Sequence, residues 1–292
     1  MAVAFDPISA VIDRPFVLTP EVASFYKTRA HARALETLTF GLRRRQERFL
    51  LVTGGTGTGK TVLCRAFVES LGSARAISLV SNPPVNPVEL YRRLVEDFRS
   101  ADDPRPLPAD DAPASEWREQ LLALLAVIPR RRGGPVIVVD DAHTMPAAVV
   151  DQLLAIAAAE SSNEQPLQIV LVGRASPDGS GVLGIRALDE LVSTRTRLTS
   201  LSRDECDRYV RHRLAVAGCN PSLFTPRAIA VLHSLSGGIP RLLNLIAERA
   251  LDLTQGQGAQ QIDSGDVAAV ASSLDAVSAR PRRFRWFVRR AS

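Results

Sequence analysis

Lysine is nearly absent from this chain of 292 residues: only Lys27 and Lys60 occur, and arginine carries the rest of the positive charge. The formal net charge of +5 is mild for this length. The bias reads as genome composition, and it leaves Lys60 conspicuous. Cysteine is scarce as well. Cys64, Cys206 and Cys219 are far apart and odd in number, with no CxxC and no metal-ligand spacing. That excludes a disulfide framework and points to a reducing compartment. No apolar run reaches about 18 residues, so no membrane-spanning helix is expected. Met1 to Pro15 hold Asp6 and Asp13 and no apolar stretch behind basic residues, so they are not read as a signal peptide. There is no internal repeat, which excludes a solenoid.

What is present is an ordinary globular balance, with 46% hydrophobic and 23% charged residues. The length suits one large domain, or a large one with a small one. Residues 1–29 are expected to be irregular. Ala34, Leu35, Leu38 and Leu42 are spaced for one face of a helix from about Ala30 to Arg45. Short apolar runs at Phe49–Thr53, Ala76–Val80, Pro135–Val139 and Leu167–Val172 read as buried strands, with a last one at Arg197–Leu201. Helical patterns alternate with them at Lys60–Leu71, Pro87–Phe98, Trp117–Ile128, Ala147–Ala159 and Ile185–Val192. The alternation predicts an α/β domain over residues 30–201, a mainly parallel sheet covered on both faces. Beyond Ser202 strands stop. The Ser202/Glu205 spacing is a capping box, Gly218 and Gly237–Gly238 are helix stops, and Pro226 and Pro240 are helix starts. Residues 202–277 are therefore expected to form a small all-helical domain, followed by a basic tail over residues 278–292.

Gly54, Gly55, Thr56, Gly57, Thr58, Gly59, Lys60 and Thr61 match the phosphate-loop pattern GxxxxGK[ST] in full, between a predicted strand and a predicted helix. Glycines let backbone N–H groups approach phosphates without a Cβ in the way, and the helix N-terminus adds partial positive charge. Lys60 is expected on the β- and γ-phosphates and the Thr61 hydroxyl on Mg²⁺, with Val62 completing the nucleotide-binding stretch. The run Val136 to Val139 delivers Asp140 at its C-terminal end, where open α/β sheets bind ligands. Asp140 is expected to hold Mg²⁺ through water. Asp141 is read either as the acid that positions an attacking water or as a helix cap. The pattern implies ATP with Mg²⁺ as cofactors.

These marks occur together with Phe16-Val-Leu-Thr-Pro20, Phe25-Tyr26, His31, Asn82-Pro83, Asp140-Asp-Ala-His143, Gln168–Gly173 and Ser236-Gly-Gly-Ile-Pro-Arg241. The combination resembles the AAA+ ATPases of the general secretion pathway protein A (ExeA) kind, over about residues 16 to 273. The resemblance implies a P-loop AAA+ nucleotide domain with a helical lid, ATP hydrolysis, homo-oligomers and a cytoplasmic or peripheral inner-membrane location. It implies a service to envelope secretion, or to polysaccharide or pilus assembly. It makes Arg241 a sensor-2 arginine reaching the γ-phosphate, and places Phe25 and Tyr26 near the adenine. Three positions depart from the family's pattern. Asp141 stands for glutamate, Arg174 for a glutamine that senses the γ-phosphate, and Leu191 for a trans-acting arginine finger, with Arg186, Arg195 and Arg197 nearby and read either as substitutes for it or as salt-bridged or solvated side chains. Slow hydrolysis is the consequence. His143 is read either as a coupling residue or as a packing one.

Arg280 to Arg290 interleave six arginines with Phe284, Trp286 and Phe287. Such a segment suits an anionic membrane surface or an inner-membrane export partner. It also suits nucleic-acid phosphates, as in a transposition-accessory ATPase, or is a plain solubilising tail. A nucleotide-gated scaffold with little hydrolysis is a third reading of the whole chain.

Overall fold

The structure, a computed structural model, describes residues 14–18, 25–44, 46–73, 75–100, 103–128, 133–160, 165–176, 191–255 and 261–278. The expected helix at Ile185–Val192 falls almost wholly outside them. So do Arg186, most of residues 1–24 and the whole arginine-aromatic tail. The chain divides into two compact units, residues 20–200 and residues 1–19 together with 201–292.

The first unit holds α1 (Arg29–Arg43), β1 (Phe49–Gly54), α2 (Lys60–Leu71), β2 (Ile77–Val80), α3 (Pro87–Phe98), α4 (Ala114–Val127), β3 (Val136–Val139), α5 (Ala147–Ala159), β4 (Gln168–Gly173) and β5 (Val192–Leu198). The sheet order is β2-β3-β4-β1-β5, and every pairing is parallel. The apolar strand runs are continuous because each strand is covered on both faces and alternates between two cores. Leu50, Val52, Val136, Val138, Val170 and Val172 pack with α1 and α2, against Ala34, Leu38, Leu63 and Phe67. Phe49, Leu51, Ile137, Val139, Ile169 and Leu171 face the other way, against α3, α4 and α5, where Leu90, Leu94, Trp117, Leu121 and Leu153 lie. Each such aliphatic side chain contributes about 1.5–3 kcal/mol by leaving water.

The last strand differs from its expected place. It runs Val192–Leu198 rather than Arg197–Leu201. Its sequence alternates β-branched residues with Ser193, Arg195 and Arg197, as suits an edge strand with a single neighbour, here β1. The reading from continuous apolar character misses such a strand.

The second unit holds α6 (Arg203–Val216), α7 (Pro226–Ser236), α8 (Pro240–Gln255) and α9 (Ser264–Ser278). Ser202 and Glu205 form the expected capping box at the start of α6. Thr225 caps α7 and Pro226 opens it, while Gly237 ends it at φ 59°. Gly238 follows at φ 70°, and a Cβ there would meet the Leu201 carbonyl oxygen at 2.2 Å. The double glycine thus both stops α7 and lets Leu201 donate its N–H to the Gly238 carbonyl at 2.8 Å.

Residues 14–18 pack into this unit. Phe16 is 1% exposed and meets Phe224 edge to face at 5.8 Å. The buried Arg213 guanidinium donates to the Pro15 carbonyl at 2.7 Å and to the Val17 carbonyl at 2.8 Å.

Candidate functional site

Gly54 to Lys60 connect β1 to α2 at the C-terminal edge of the sheet. Gly57 and Gly59 adopt φ 79° and 94°, the left-handed region that other residues seldom enter. Gly59 is the N-cap of α2, and no side chain caps it. The first N–H groups of the helix therefore face the loop unclaimed by any capping side chain. Thr58 is buried and its hydroxyl donates to the Gly55 carbonyl at 2.9 Å, which closes the loop on itself. Lys60, buried, folds its amine into the same loop and donates to the carbonyls of Gly54 (3.3 Å) and Gly55 (3.0 Å). Burial pushes the Lys60 pKa down, against the opposing pull of Asp141 and Asp140.

In the sheet, β4 lies between β1 and β3, so the ends of three neighbouring strands meet here. β3 delivers Asp140, 2% exposed. Burial pushes its pKa up. The Thr61 hydroxyl donates to its carboxylate, and the Asp141 N–H donates to Oδ1 at 2.9 Å. Thr61 and Asp140, predicted as the metal pair, are thus in contact. β4 delivers Arg174, whose charge acts on Lys60 and His143.

Asp141 is the one non-glycine residue with positive φ among the described residues, at 46°. It precedes a 3-10 turn, Ala142–Thr144, that brings the His143 ring back so that Nδ1 stands 3.8 Å from Asp141 Oδ1. Burial pushes the His143 pKa down. Asp141 makes no side-chain cap to this turn.

The reading of the sequence missed one neighbour. His31 lies under the loop, where a Cβ on Gly59 would meet its Nε2 at 2.8 Å. Its Nδ1 is 2.8 Å from the hydroxyl of Thr28, the N-cap of α1, and the Phe25 ring stands edge-on at 5.0 Å. The Thr28/His31 spacing at a helix start was the available signal. The remaining predicted residues lie elsewhere. Leu191 is 50% exposed, and Arg195 and Arg197 are exposed on β5. Arg241 is exposed in the first turn of α8, in the helical unit.

The residues present fit a nucleotide with its metal. Left-handed glycines and an uncapped helix start suit phosphate, and a buried amine lies among them. A hydroxyl with one acid suits Mg²⁺, which keeps much of its water. Among the described residues no group of three or more His, Cys, Asp or Glu is placed to hold a metal by itself.

A family model described as an AAA domain matches residues 43–178. General secretion pathway protein A of Aeromonas hydrophila is 34% identical over 271 residues, 90% of this chain and 47% of that protein. The chain thus spans about half the length of this curated relative. Among solved structures, Cdc6p from Pyrobaculum aerophilum is similar with a TM-score of 0.69 at 17% identity, over 93% of this chain and 75% of that one. The Aeropyrum pernix ORC2 protein gives 0.64 at 16%, over 90% and 72%. The Thermotoga maritima RuvB Holliday junction branch migration motor gives 0.54 at 19%, over 83% and 69%. At such identities these structures speak for the fold alone. With the parallel sheet, the helical C-terminal unit and the phosphate loop in place, the chain has an AAA-like P-loop fold, matches an AAA domain over residues 43–178 and is related to general secretion pathway protein A over 90% of its own length.

Proposed function

We propose that this chain binds ATP with Mg²⁺, hydrolyses it slowly and uses the cycle to drive or switch an envelope export or polymer-assembly system. The observation that carries the reading is the meeting of Lys60 and Thr61, in the first turn of α2 after β1, with Asp140 at the end of β3, the two strands flanking β4. Gly54 to Thr61 and Val62 hold the phosphates, and Thr61 and Asp140 hold the metal. Mg²⁺, when bound, supplies charge that neutralises the β- and γ-phosphate oxygens. Lys60 exchanges its two loop carbonyls for phosphate oxygens. Asp141 orients the attacking water and takes its proton. It is one methylene shorter than a glutamate, and its left-handed backbone sets where the carboxylate points. Arg241 acts from the helical unit as the residue that senses the γ-phosphate. Leu191 supplies no arginine to a neighbouring copy, and an arginine finger is worth about 10³ or more in rate, so unaided turnover is slow.

The test is phosphate release with Mg²⁺-ATP alongside nucleotide affinity. Asp141→Asn is expected to lose at least about tenfold in kcat while keeping its affinity. Arg241→Ala is expected to weaken both. Equal turnover in Asp141→Asn and the parent removes Asp141 from the chemistry.

The envelope assignment rests on the relative's name and on the arginine-aromatic stretch from Arg280 to Arg290. Anionic liposomes are expected to sediment the full chain and not one ending at Ala279, with a blue shift of Trp286 emission on binding. A chain that shifts DNA and ignores liposomes instead supports the nucleic-acid reading. Homo-oligomers are part of the same proposal.

A further inference from the structure

His143 has its side chain 91% out of solvent, the complement of its 9% exposure, yet its Nδ1 is buried with no hydrogen-bond partner among the described residues. A buried imidazole nitrogen left unpaired is costly, so the ring's position needs an explanation. The 3-10 turn after Asp141 gives one. The Thr144 N–H and hydroxyl both donate to the Asp141 carbonyl at 2.9 Å, which pins the turn. The ring is thereby carried to Asp141, whose side chain is half exposed. The separation of 3.8 Å is too long for a hydrogen bond, and a shift of about 1 Å closes it.

We infer that His143 is the positioning residue of Asp141: its Nδ1–H clamps one carboxylate oxygen so that the other faces the attacking water. The inference rests on the catalytic reading of Asp141 above. It also accounts for how a short acid does this task. An aspartate reaches less far than a glutamate, so its oxygens must be aimed by a second group. Asp140 cannot aim them, because its Oδ1 accepts the Asp141 backbone N–H and its carboxylate takes the Thr61 hydroxyl. Arg174 is on the same side of the sheet edge, but it is exposed and its charge opposes protonation of His143. His143 therefore acts as a neutral donor, in keeping with burial, rather than as a cation. When water attacks the γ-phosphorus, the bond to the β–γ bridging oxygen breaks. The water's proton passes to the free oxygen of Asp141, and His143 keeps its own proton throughout.

The test compares His143→Ala, His143→Asn and Asp141→Asn, alone and combined, by kcat, KM for ATP and affinity for a fluorescent nucleotide. His143→Ala is expected to lower kcat about tenfold or more, with KM and affinity within about twofold. His143→Asn, whose amide N–H reaches nearly as far as Nδ1–H, is expected to recover most of the loss. In the Asp141→Asn background, His143→Ala should cost nothing further. A second readout needs no turnover: long-range ¹H–¹⁵N spectra of the nucleotide-free chain should show His143 neutral and protonated on Nδ1. Unchanged kcat in His143→Ala overturns the inference. So does a loss that Asn does not rescue and KM shares, or an Nε2-protonated or cationic ring. If Asp141→Asn alone leaves turnover intact, the underlying reading of Asp141 fails first. If Asp141→Asn is slow and His143→Ala is not, only the positioning role fails.

Discussion

Lys60 holds two positions at once. It is one of two lysines in a chain otherwise charged by arginine, and its amine is buried in the turn of its own loop. An ammonium taken out of water is costly unless something pairs it, and the carbonyls of Gly54 and Gly55 do so only in part. In the proposed function, phosphate oxygens complete what the loop begins. The other single residues follow the same logic of fixed backbone and close approach. Gly59 has no room for a Cβ because His31 stands behind it, and its φ of 94° disfavours any side chain independently. Asp141 pays strain of about 1–3 kcal/mol for its left-handed backbone, and the role proposed for its carboxylate gives that cost a reason. The three thiols are the counterexample: Cys64, Cys206 and Cys219 are all buried, and burial raises each pKa, Cys206 to about 12. They are core residues with little thiolate at neutral pH.

At the scale of elements, the segment at residues 14–18 is the least expected piece. It reads in sequence as an irregular, proline-marked start, yet Phe16 fills a slot against Phe224 and Arg213 grips the carbonyls on either side. Arg14 adds pairs to Glu248 at 3.5 Å and Asp252 at 3.8 Å, the first of which is partly shielded. Removing the aromatic ring leaves a cavity, and removing the guanidinium leaves two carbonyls short of a donor. Phe16→Ala is expected to destabilise the helical unit by about 3–5 kcal/mol. Arg213→Ala is expected to cost about 1.5–3 kcal/mol. Urea unfolding followed by circular dichroism checks both, and midpoints equal to the parent's would show that the segment adds no stability. Such a contact is not legible in sequence, because the partners Arg213 and Pro15 are 198 positions apart and carry no local pattern. What was legible is local. The continuous apolar run Val136–Val139, the capping box at Ser202 and the stops at Gly237–Gly238 each state their own structure. β5 failed that test because its polar alternate residues belong to an edge, and the His31–Gly59 approach failed it because α1 and the loop meet only in three dimensions. The pairing of Thr61 with Asp140 was inferred from two motifs, and the order of β3, β4 and β1 is what brings them together.

For the molecule as a whole, the division into a sheet unit and a helical unit puts the phosphate loop in one and Arg241 in the other. Any signal from nucleotide to partner has to begin with the loop holding a nucleotide, so every further step depends on that event. The direct measurement is an equilibrium titration of a fluorescent ATP analogue into the parent chain and Lys60→Ala, with and without Mg²⁺, circular dichroism confirming that both are folded. Saturable binding by the parent, strengthened by Mg²⁺ and lost in Lys60→Ala, is the predicted result. Equal affinity in a folded Lys60→Ala, or no binding by the parent, would contradict the assignment of Gly54 to Thr61 as the nucleotide site.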